Sequence, residues 1–316
     1  MKAIVQKDFG TTGVLELREI DAPEVGDDDV LLRVRAAGVH AGDFFCMTGT
    51  PYPVRFAVGW PRPKTYVPGY DVAGVVEAVG SKVTHLEPGD EVFGGCTGGL
   101  AELVRAKADH LVRKPSGISF EQAGVIATSA LAALHGVRDA GKVQSGQHVL
   151  INGASGGVGH FEVQIAKHLG AEVTGVCSAR NVDMVRSLGA DHVIDYTSED
   201  YTEAGARYDL ILDNVGNRPF SECRRALKPT GKHIPNSGHA GLGFVLAAML
   251  RSLLVSQQGR PYLSSPNKED MDVLRQLIEE EKLAPVIDRT YPLAEAADAI
   301  SYVGEGHAHG KVVVTV

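Results

Sequence analysis

A glycine-rich turn between an apolar strand and a helix constrains this chain more than any other segment. The turn spans Gly153–Gly159 and follows the strand-like run His148–Asn152. A helical pattern follows in His160–His168 and a second strand pattern in Glu172–Cys177, as a βαβ unit requires. Such a turn offers backbone N–H groups and the positive end of a helix dipole to a pyrophosphate. The sequence therefore predicts a phosphate-binding βαβ unit, with a tight turn that binds no ligand as the alternative.

The glycine pattern departs from the literal dinucleotide fingerprint at one position. Ala154 stands where the fingerprint has its first glycine. The last glycine, Gly159, lets the helix pack closely on the strand. We expect the pyrophosphate contacts to come from the part of the turn that precedes the helix, namely Ser155, Gly156, Gly157 and Val158.

Length and composition exclude several classes of protein. The 316 residues are 44% hydrophobic, which suits two domains better than one. The net charge of -8 gives no sign of nucleic-acid binding. No apolar run is long enough for a membrane span. The N-terminal run Met1–Gln6 has the pattern of a strand rather than that of a signal peptide. Four scattered cysteines without a Cys-x-x-Cys motif predict a reducing, cytoplasmic location and no disulfide framework.

The chain changes its pattern after the first third. The first third predicts a small barrel or sandwich, with short strands at Val30–Arg35, Ala73–Val79, Glu91–Phe93 and Ala101–Val104. The middle third alternates strands and helices, which predicts a doubly wound parallel sheet. Its further elements are helices near 181–188 and 219–227 and strands at His192–Asp195, Tyr208–Asp213 and Lys232–Pro235.

The last quarter mixes apolar, extended and helical segments. Leu242–Val255 is apolar and predicts a buried or interface helix rather than a membrane span. Arg260–Ser264 predicts a short edge strand. Further elements are predicted as helices near Lys268–Glu281 and Leu293–Val303 and as a strand at Lys311–Val316.

These segments, in this order, resemble the medium-chain dehydrogenase/reductase superfamily, and within it the zinc-independent quinone-oxidoreductase-like branch. The motifs that carry the resemblance are Ala36–Asp43, Pro68–Gly80, Pro88–Phe93, Gly153–Gly159, Leu188–Tyr196, Asp213–Gly216 and His309–Val313. The resemblance implies a GroES-like catalytic domain built from both chain ends, residues 1–120 and 268–316, around a Rossmann domain of residues 121–267. It also implies a nicotinamide cofactor in the cleft and a homodimer in which the edge strand at 260–264 pairs with its twofold mate.

The resemblance argues against a catalytic metal. Zinc-dependent relatives carry a Cys after the first motif and Gly-His-Glu where this chain has Gly69, Tyr70 and Asp71. A catalytic zinc needs about three convergent side-chain ligands. His40, Asp43, Cys46 and Asp71 remain as candidates, but Tyr70 replaces the key histidine, so we expect no bound metal.

The end of the second Rossmann strand favours NADPH over NADH. NAD-binding sites place an Asp or Glu there, whereas this chain has Ser178 and Arg180, whose hydroxyl and guanidinium suit a 2′-phosphate. The resemblance adds Tyr196 to that phosphate pocket; a solvated Arg180 and a packed Tyr196 are the alternatives. It also places Val215, Gly216 and Ser237 beside the nicotinamide ribose and carboxamide, and Thr128 against the cofactor.

The reaction implied is hydride transfer without a metal, which suits quinones and the activated C=C bond of enones. His40, where most relatives have Asn, is a candidate for positioning the nicotinamide or relaying a proton, and equally for a structural histidine. Tyr52 lies in a long Pro- and aromatic-rich loop, Thr48–Val67, and is the candidate proton donor, with plain loop packing as its alternative. Asp43 is a weaker candidate because it suits a helix cap.

Two other functions stay open at this stage. One is an NADP-dependent alcohol dehydrogenase or ketone reductase, which a substrate panel distinguishes from a quinone or enone reductase. The other is an NADPH-binding protein with little turnover, and NADPH affinity without activity on any acceptor would identify it.

Overall fold

The computed structural model describes residues 1–63, 66–203, 205, 207–236 and 241–316. The chain folds into two compact units. Met1–Leu131 and Ser265–Val316 together form the first unit, and Ala132–Ser264 form the second. The GroES-like and Rossmann boundaries expected from the sequence, at 120/121 and 267/268, lie 11 and 3 residues from the boundaries of these units.

The elements are numbered in chain order. The strands are β1 (Lys2–Gln6), β2 (Leu15–Glu19), β3 (Asp29–Val39), β4 (Asp71–Val79), β5 (Glu91–Gly95), β6 (Leu103–Lys107), β7 (Leu111–Arg113), β8 (His148–Asn152), β9 (Glu172–Cys177), β10 (His192–Asp195), β11 (Tyr208–Asp213), β12 (Leu227–Pro235), β13 (Ile287–Pro292) and β14 (Lys311–Thr315). The α-helices are α1 (Ala41–Thr48), α2 (Val54–Val58), α3 (Phe120–Ala123), α4 (Ala127–Leu134), α5 (Gly159–His168), α6 (Val182–Ser187), α7 (Phe220–Ala226), α8 (Gly241–Ser252), α9 (Lys268–Glu279) and α10 (Ala296–Gly304). A π-helical turn covers His135–Ala140.

The second unit is built on a parallel sheet. Its strand order is β10-β9-β8-β11-β12, and each neighbouring pair is parallel. The central strand β8 buries Val149, Leu150 and Ile151 completely, as a strand covered on both faces should. The order reverses between β8 and β11, which is where open α/β sheets bind ligands, outside the carboxyl ends of the strands. This sheet confirms the predicted fold class.

The first unit is a β-rich assembly to which the C-terminal strand returns. Its larger sheet has the order β13-β14-β3-β4-β5-β7, with β6 also paired to β3, and β1 and β2 form a separate pair. Strand β14 pairs antiparallel with β3, with Val312 opposite Val39. Apolar side chains of β3, β4, β5 and β14 form one buried cluster. The C-terminal segment therefore completes the core that the N-terminal segment begins.

A buried cation begins strand β14. The Nζ of Lys311 donates to Ser129 Oγ at 2.7 Å and lies 3.7 Å from Asp71 Oδ2. Lys311 and Asp71 are 2% and 0% exposed, and burial lowers the pKa of Lys311. Buried charges require such pairing, so this contact ties the C-terminal strand to β4 and α4.

Several predicted elements have the expected bounds, and others differ at their ends. The strands at Glu172–Cys177, His192–Asp195 and Tyr208–Asp213 match. The helix predicted to Glu281 ends at Glu279, because Glu281 adopts a positive φ of 56° that no helix continues. Bounds also differ in other elements. For example, β3 ends at Val39 rather than Arg35, β6 begins at Leu103 rather than Ala101, β12 begins at Leu227 rather than Lys232, the apolar helix ends at Ser252 rather than Val255, and α10 begins at Ala296 rather than Leu293.

The edge strand predicted at Arg260–Ser264 is wrong for the isolated chain. The segment is irregular, and no described strand pairs with it. Pro261 has no N–H to donate to a ladder. The Tyr262 hydroxyl points inward and donates to the carbonyl of Ala132 at 2.7 Å. A single bridge between His233 of β12 and Gln258, just before the segment, is all the strand pairing that forms there among the described residues.

Two further features bear on the expectations from composition. No helix in the described part of the chain is long and apolar enough to cross a bilayer. The four cysteines, Cys46, Cys96, Cys177 and Cys223, are free thiols.

Candidate functional site

The glycine turn after β8 has the conformation that a phosphate loop needs. Gly153 adopts a φ of +83°, which disfavours any side chain. A Cβ on Gly159 would lie 2.2 Å from the carbonyl oxygen of Gly153, so glycine is required for α5 to begin this close to the turn. Ala154, the departure from the fingerprint, is fully buried. A Cβ on Gly175 of β9 would lie 3.0 Å from its methyl group, so Gly175 makes room for it.

The predicted phosphate contacts Ser155, Gly156, Gly157 and Val158 lie together between β8 and α5. Helix α5 is ten residues long, with Val158 as its N-cap. Within the described ranges, no group accepts a hydrogen bond from the backbone N–H of Gly157 or Val158. Unpaired N–H groups at the positive end of a helix dipole attract an anion. The turn can therefore bind a pyrophosphate.

An asparagine that the sequence analysis missed joins two of the predicted cofactor residues. The Nδ2 of Asn181 donates to Ser155 Oγ at 3.0 Å and to Ser178 Oγ at 3.3 Å. Asn181 is 8% exposed and immediately precedes α6, where its side chain makes no capping hydrogen bond. In the sequence it resembles an ordinary helix cap, because Asn is common there. Its amide instead links the glycine turn to the end of β9.

The remaining predicted 2′-phosphate residues lie at the ends of β9 and β10. Asp195 is opposite Cys177 in the parallel register, and the backbone N–H of Tyr196 donates to the carbonyl of Cys177 at 3.1 Å. Tyr196 is 58% exposed, and Arg180 is exposed on the short 3-10 helix after β9. Ser178, Arg180 and Tyr196 thus lie at one edge of the sheet.

A buried carboxylate holds the turn that follows β11. The Oδ1 of Asp213 accepts from the backbone N–H of Gly216 at 2.9 Å and of Val215 at 3.2 Å, and from Asn152 Nδ2 at 2.8 Å. Its Oδ2 accepts from His233 Nε2 at 3.2 Å. Burial would raise the pKa of Asp213, but the His233 contact and the other donors outweigh it, so that pKa is lowered. Asp213 therefore shapes the Val215–Gly216 turn, the predicted border of the nicotinamide.

The other two predicted cofactor residues have different outcomes. Ser237 lies outside the described residues. Thr128 lies in the first unit, where its backbone N–H donates to Asp71 Oδ1 at 2.7 Å and its hydroxyl donates to the same oxygen. Its hydroxyl proton is thus directed at Asp71, and only its oxygen lone pairs remain for a ligand.

His40 lies in the first unit, at the start of α1. Its Nδ1 accepts from the backbone N–H of Gly42 at 3.0 Å, which assigns the ring proton to Nε2. Asp43 is fully buried and accepts from the backbone N–H groups of His40 at 3.0 Å and of Gly69 at 2.9 Å. Asp43 is therefore a capping residue that fixes His40 and the Gly69 turn.

Two tyrosines and a thiol lie against His40. Its ring stacks on Tyr70 with centroids 5.2 Å apart. The Tyr66 hydroxyl donates to the Tyr70 hydroxyl at 2.7 Å, and the Cys46 Sγ lies 3.2 Å from that same hydroxyl. Burial raises the pKa of Cys46, Tyr66 and Tyr70. The cluster is therefore a set of neutral donors, and His40 Nε2 is a buried donor without a partner among the described residues.

Tyr52 lies in an aromatic group at the surface of the first unit. Its side chain is 55% exposed. Trp60 packs edge-on against its ring at 5.2 Å, and the Arg55 guanidinium lies 4.8 Å from the ring centroid. The loop that carries it contains the short helix α2. The phenol is accessible to a small molecule, which is compatible with either role considered for it.

The metal-candidate residues of the first unit do not converge on an ion site. Among the described residues, only one group of His, Cys, Asp and Glu side chains has its ligand atoms within metal-binding range, namely Asp213, Cys223 and His233. It lies in the second unit, and the Asp213 carboxylate already accepts the hydrogen bonds described above. His40, Asp43, Cys46 and Asp71 do not belong to such a group.

Comparisons with known proteins agree with both units. Residues 26–116 match the family model described as alcohol dehydrogenase GroES-like domain, and residues 188–314 match the one described as zinc-binding dehydrogenase. The NADPH-dependent alkenal/one oxidoreductase of Arabidopsis thaliana is 33% identical over 99% of this chain and 79% of its own. The quinone-oxidoreductase homolog of Spinacia oleracea is 33% identical over 96% of this chain and 95% of its own. The solved quinone oxidoreductase of Coxiella burnetii superposes with a TM-score of 0.89 at 31% identity, over 100% of this chain and 99% of its own.

Proposed function

Because the chain belongs to the medium-chain dehydrogenase/reductase superfamily, in its quinone-oxidoreductase-like branch, we propose that it is an NADPH-dependent reductase of quinones or α,β-unsaturated carbonyls. One observation carries the proposal. The glycine turn, with its unpaired N–H groups, is joined through Asn181 to Ser178 at a strand end that has no carboxylate. That arrangement suits a dinucleotide with a 2′-phosphate.

Residues of the glycine turn and of the strand ends bind different parts of the cofactor. The N–H groups of Gly157 and Val158 bind the pyrophosphate, and Ser178, Arg180 and Tyr196 bind the 2′-phosphate. When bound, the nicotinamide supplies the hydride. The turn held by Asp213 borders the nicotinamide ribose.

Neutral donors of the first unit suit the other half of the reaction. Hydride addition to the β-carbon of an enone leaves an enolate. The enolate oxygen needs a hydrogen-bond donor, and the α-carbon needs a proton. We propose that His40 Nε2–H is one such donor and that Tyr52 delivers the proton. Without a Lewis acid, these groups suit activated acceptors better than simple ketones.

We also propose that no metal takes part in the reaction. Tyr70 stands where zinc-dependent relatives have a histidine, and its hydroxyl is hydrogen-bonded to Tyr66 and Cys46. Zinc binds the thiolate form of cysteine, whereas burial raises the pKa of Cys46. The available donors therefore fit a zinc ion poorly, even though one matching family model is described as zinc-binding.

A substrate panel tests the proposed function. Purified protein is assayed with NADPH against quinones, enones and simple ketones, and with NADP⁺ against alcohols, before and after chelation, and its zinc content is measured. We expect turnover of quinones or enones that chelation does not change. Activity restricted to alcohols and ketones would support the alcohol dehydrogenase alternative. Tight NADPH binding without any turnover would support a binding protein, and stoichiometric zinc lost together with activity would overturn the metal-free mechanism.

Cofactor preference depends on Arg180. Replacing one charge-assisted phosphate contact costs about 1.5–3 kcal/mol, so Arg180→Ala should raise the KM for NADPH about ten- to a hundredfold. The KM for NADH should change little, because NADH has no 2′-phosphate. Arg186→Ala is the matched control, since Arg186 is an exposed arginine of α6 that pairs with Asp183. Equal effects of Arg180→Ala on both cofactors would refute the assignment.

Proton delivery depends on Tyr52. Tyr52→Phe keeps the ring contacts with Trp60 and Arg55 but removes the hydroxyl, so kcat on enones should fall about 10²–10⁴-fold. The effect on quinones should be much smaller, because water can protonate the hydroquinone product. His40→Asn, which restores the residue usual in the family, should be tolerated if His40 only positions the cofactor. An unchanged kcat of Tyr52→Phe on enones removes Tyr52 from the mechanism.

We propose a homodimer that uses the surface around α8. Apolar side chains are exposed there to an unusual degree, namely Leu246, Met249, Leu250, Leu253 and Leu254, with the nearby Leu263 98% exposed. Such patches mark association surfaces, and the segment 260–264, unpaired with any described strand, supplies backbone groups for a second copy. Light scattering at micromolar concentration should give a dimer mass that Leu250→Glu with Leu254→Glu reduces to that of a monomer. A monomeric unmodified protein contradicts the proposal.

The free thiols also support a reducing, cytoplasmic location.

A further inference from the structure

Glu162 is a buried carboxyl group to which the proposed mechanism gives no role. It lies in the first turn of α5 and is 0% exposed. Its Oε2 accepts from Asn214 Nδ2 at 2.6 Å. Its Oε1 is buried and has no hydrogen-bond partner in the part of the chain that the structure describes. Such a group is costly to bury, so its position calls for an explanation.

The hydrogen bond from Asn214 continues across the edge of the sheet. Asn214 Oδ1 accepts from Asn236 Nδ2 at 3.0 Å. The backbone N–H of Asn214 donates to the carbonyl of Asn152, and that of Asn236 donates to the carbonyl of Asp213. Glu162 is thus the end of an amide chain that crosses the carboxyl ends of β8, β11 and β12. This chain lies directly beside the Val215–Gly216 turn.

We infer that Glu162 is a positioning residue for the nicotinamide half of the cofactor, acting through Asn214 and Asn236. The inference rests on the proposed function, because it requires a dinucleotide at this edge of the sheet. Glu162 orients the Asn214 amide from the interior, and Asn214 in turn orients Asn236. The residues that face the ligand are then held in place before it binds, which lowers the cost of binding.

The surroundings of Glu162 favour its neutral form. Burial raises the pKa of Glu162 to about 8, the Asn214 contact opposes this, and the Asp213 carboxylate adds to it. Tyr262 is the other titratable group that faces it, and burial raises the pKa of that phenol as well. Gly136 fills the remaining side, where a Cβ would lie 3.3 Å from Glu162 Oε1 and 2.4 Å from the Tyr262 oxygen. No basic side chain contributes to this pKa.

Cofactor binding and protonation of Glu162 therefore favour each other. A pyrophosphate at the N-terminus of α5 brings negative charge to the helix that carries Glu162, so it raises the pKa of that carboxyl further. By thermodynamic linkage, protonation of Glu162 strengthens cofactor binding by the same factor. Affinity for NADPH should be full well below pH 8, where Glu162 is protonated with or without ligand. It should fall as pH rises above about 8, where the free protein loses the proton that the complex retains.

Three variants test the inference. Glu162→Gln keeps an acceptor for Asn214 but cannot ionise, Glu162→Leu removes both, and Glu203→Gln makes the same change as the first at an exposed site of the second unit. Kd for NADPH is measured by fluorescence from pH 7 to 9.5, alongside thermal unfolding of each variant. The unmodified protein and Glu203→Gln should weaken about three- to tenfold over this range, and Glu162→Gln should stay nearly flat. Superimposable profiles of Glu162→Gln and the unmodified protein would overturn the inference.

The positioning role has a second readout. At saturating NADPH and pH 7, Glu162→Leu should lower kcat about tenfold, and Glu162→Gln should recover most of that loss. Both variants are uncharged, so they should bind adenosine 2′,5′-bisphosphate equally well. If Glu162→Leu lowers neither kcat nor NADPH affinity relative to Glu162→Gln, Glu162 only fills space. If the unmodified protein shows no saturable NADPH binding at all, the proposed function fails before the inference is reached.

Discussion

The carboxylate of Asp213 is the interaction on which the second unit's binding edge depends. It accepts hydrogen bonds from β8 through Asn152, from β12 through His233, and from the backbone of the turn at Val215–Gly216. A buried charge without such donors is strongly destabilising. The same contacts that make the carboxylate tolerable also fix the spacing of three strand ends. The Asp213 carboxylate therefore stabilises the fold and also determines the shape of the binding edge.

Neutral amides carry most of the remaining hydrogen bonds at this edge. Asn152, Asn181, Asn214 and Asn236 join strand ends and turns that are far apart in the sequence. An amide donates and accepts without adding net charge, so these links neither repel nor neutralise an anionic ligand. The buried carboxyl that the amides reach, Glu162, has a raised pKa and is neutral at pH 7. Of the two buried carboxyl groups, Asp213 is therefore the one that stays ionised, and its hydrogen-bond donors offset that charge.

The sequence predicted what depends on local pattern and missed what depends on long-range contact. Periodicity and glycine spacing predicted the βαβ unit around Gly153–Gly159, because strand, turn and helix are each determined by neighbouring residues. Asn181 bridges Ser155 and Ser178. Because Ser155 lies 26 positions away, the local sequence shows no sign of this contact, and Asn181 looks like an ordinary helix cap. The edge strand at Arg260–Ser264 failed because strand pairing depends on a partner, which local propensity does not supply. The return of β14 to the first unit followed from the family resemblance alone; the buried Lys311 gives its physical reason.

The metal-free mechanism proposed for this chain depends on the polar contacts around Tyr70 in the first unit. Tyr70 is too bulky and too weakly basic to replace a histidine ligand, yet its hydroxyl bonds to Cys46 and Tyr66 and its ring supports His40. The capping contacts of Asp43 and Gly42 leave His40 as a neutral donor at Nε2. A neutral donor stabilises a developing oxyanion by less than a metal ion does. The acceptor must then supply part of the stabilisation itself, by spreading the charge over a conjugated system, and quinones and enones do so where simple ketones cannot.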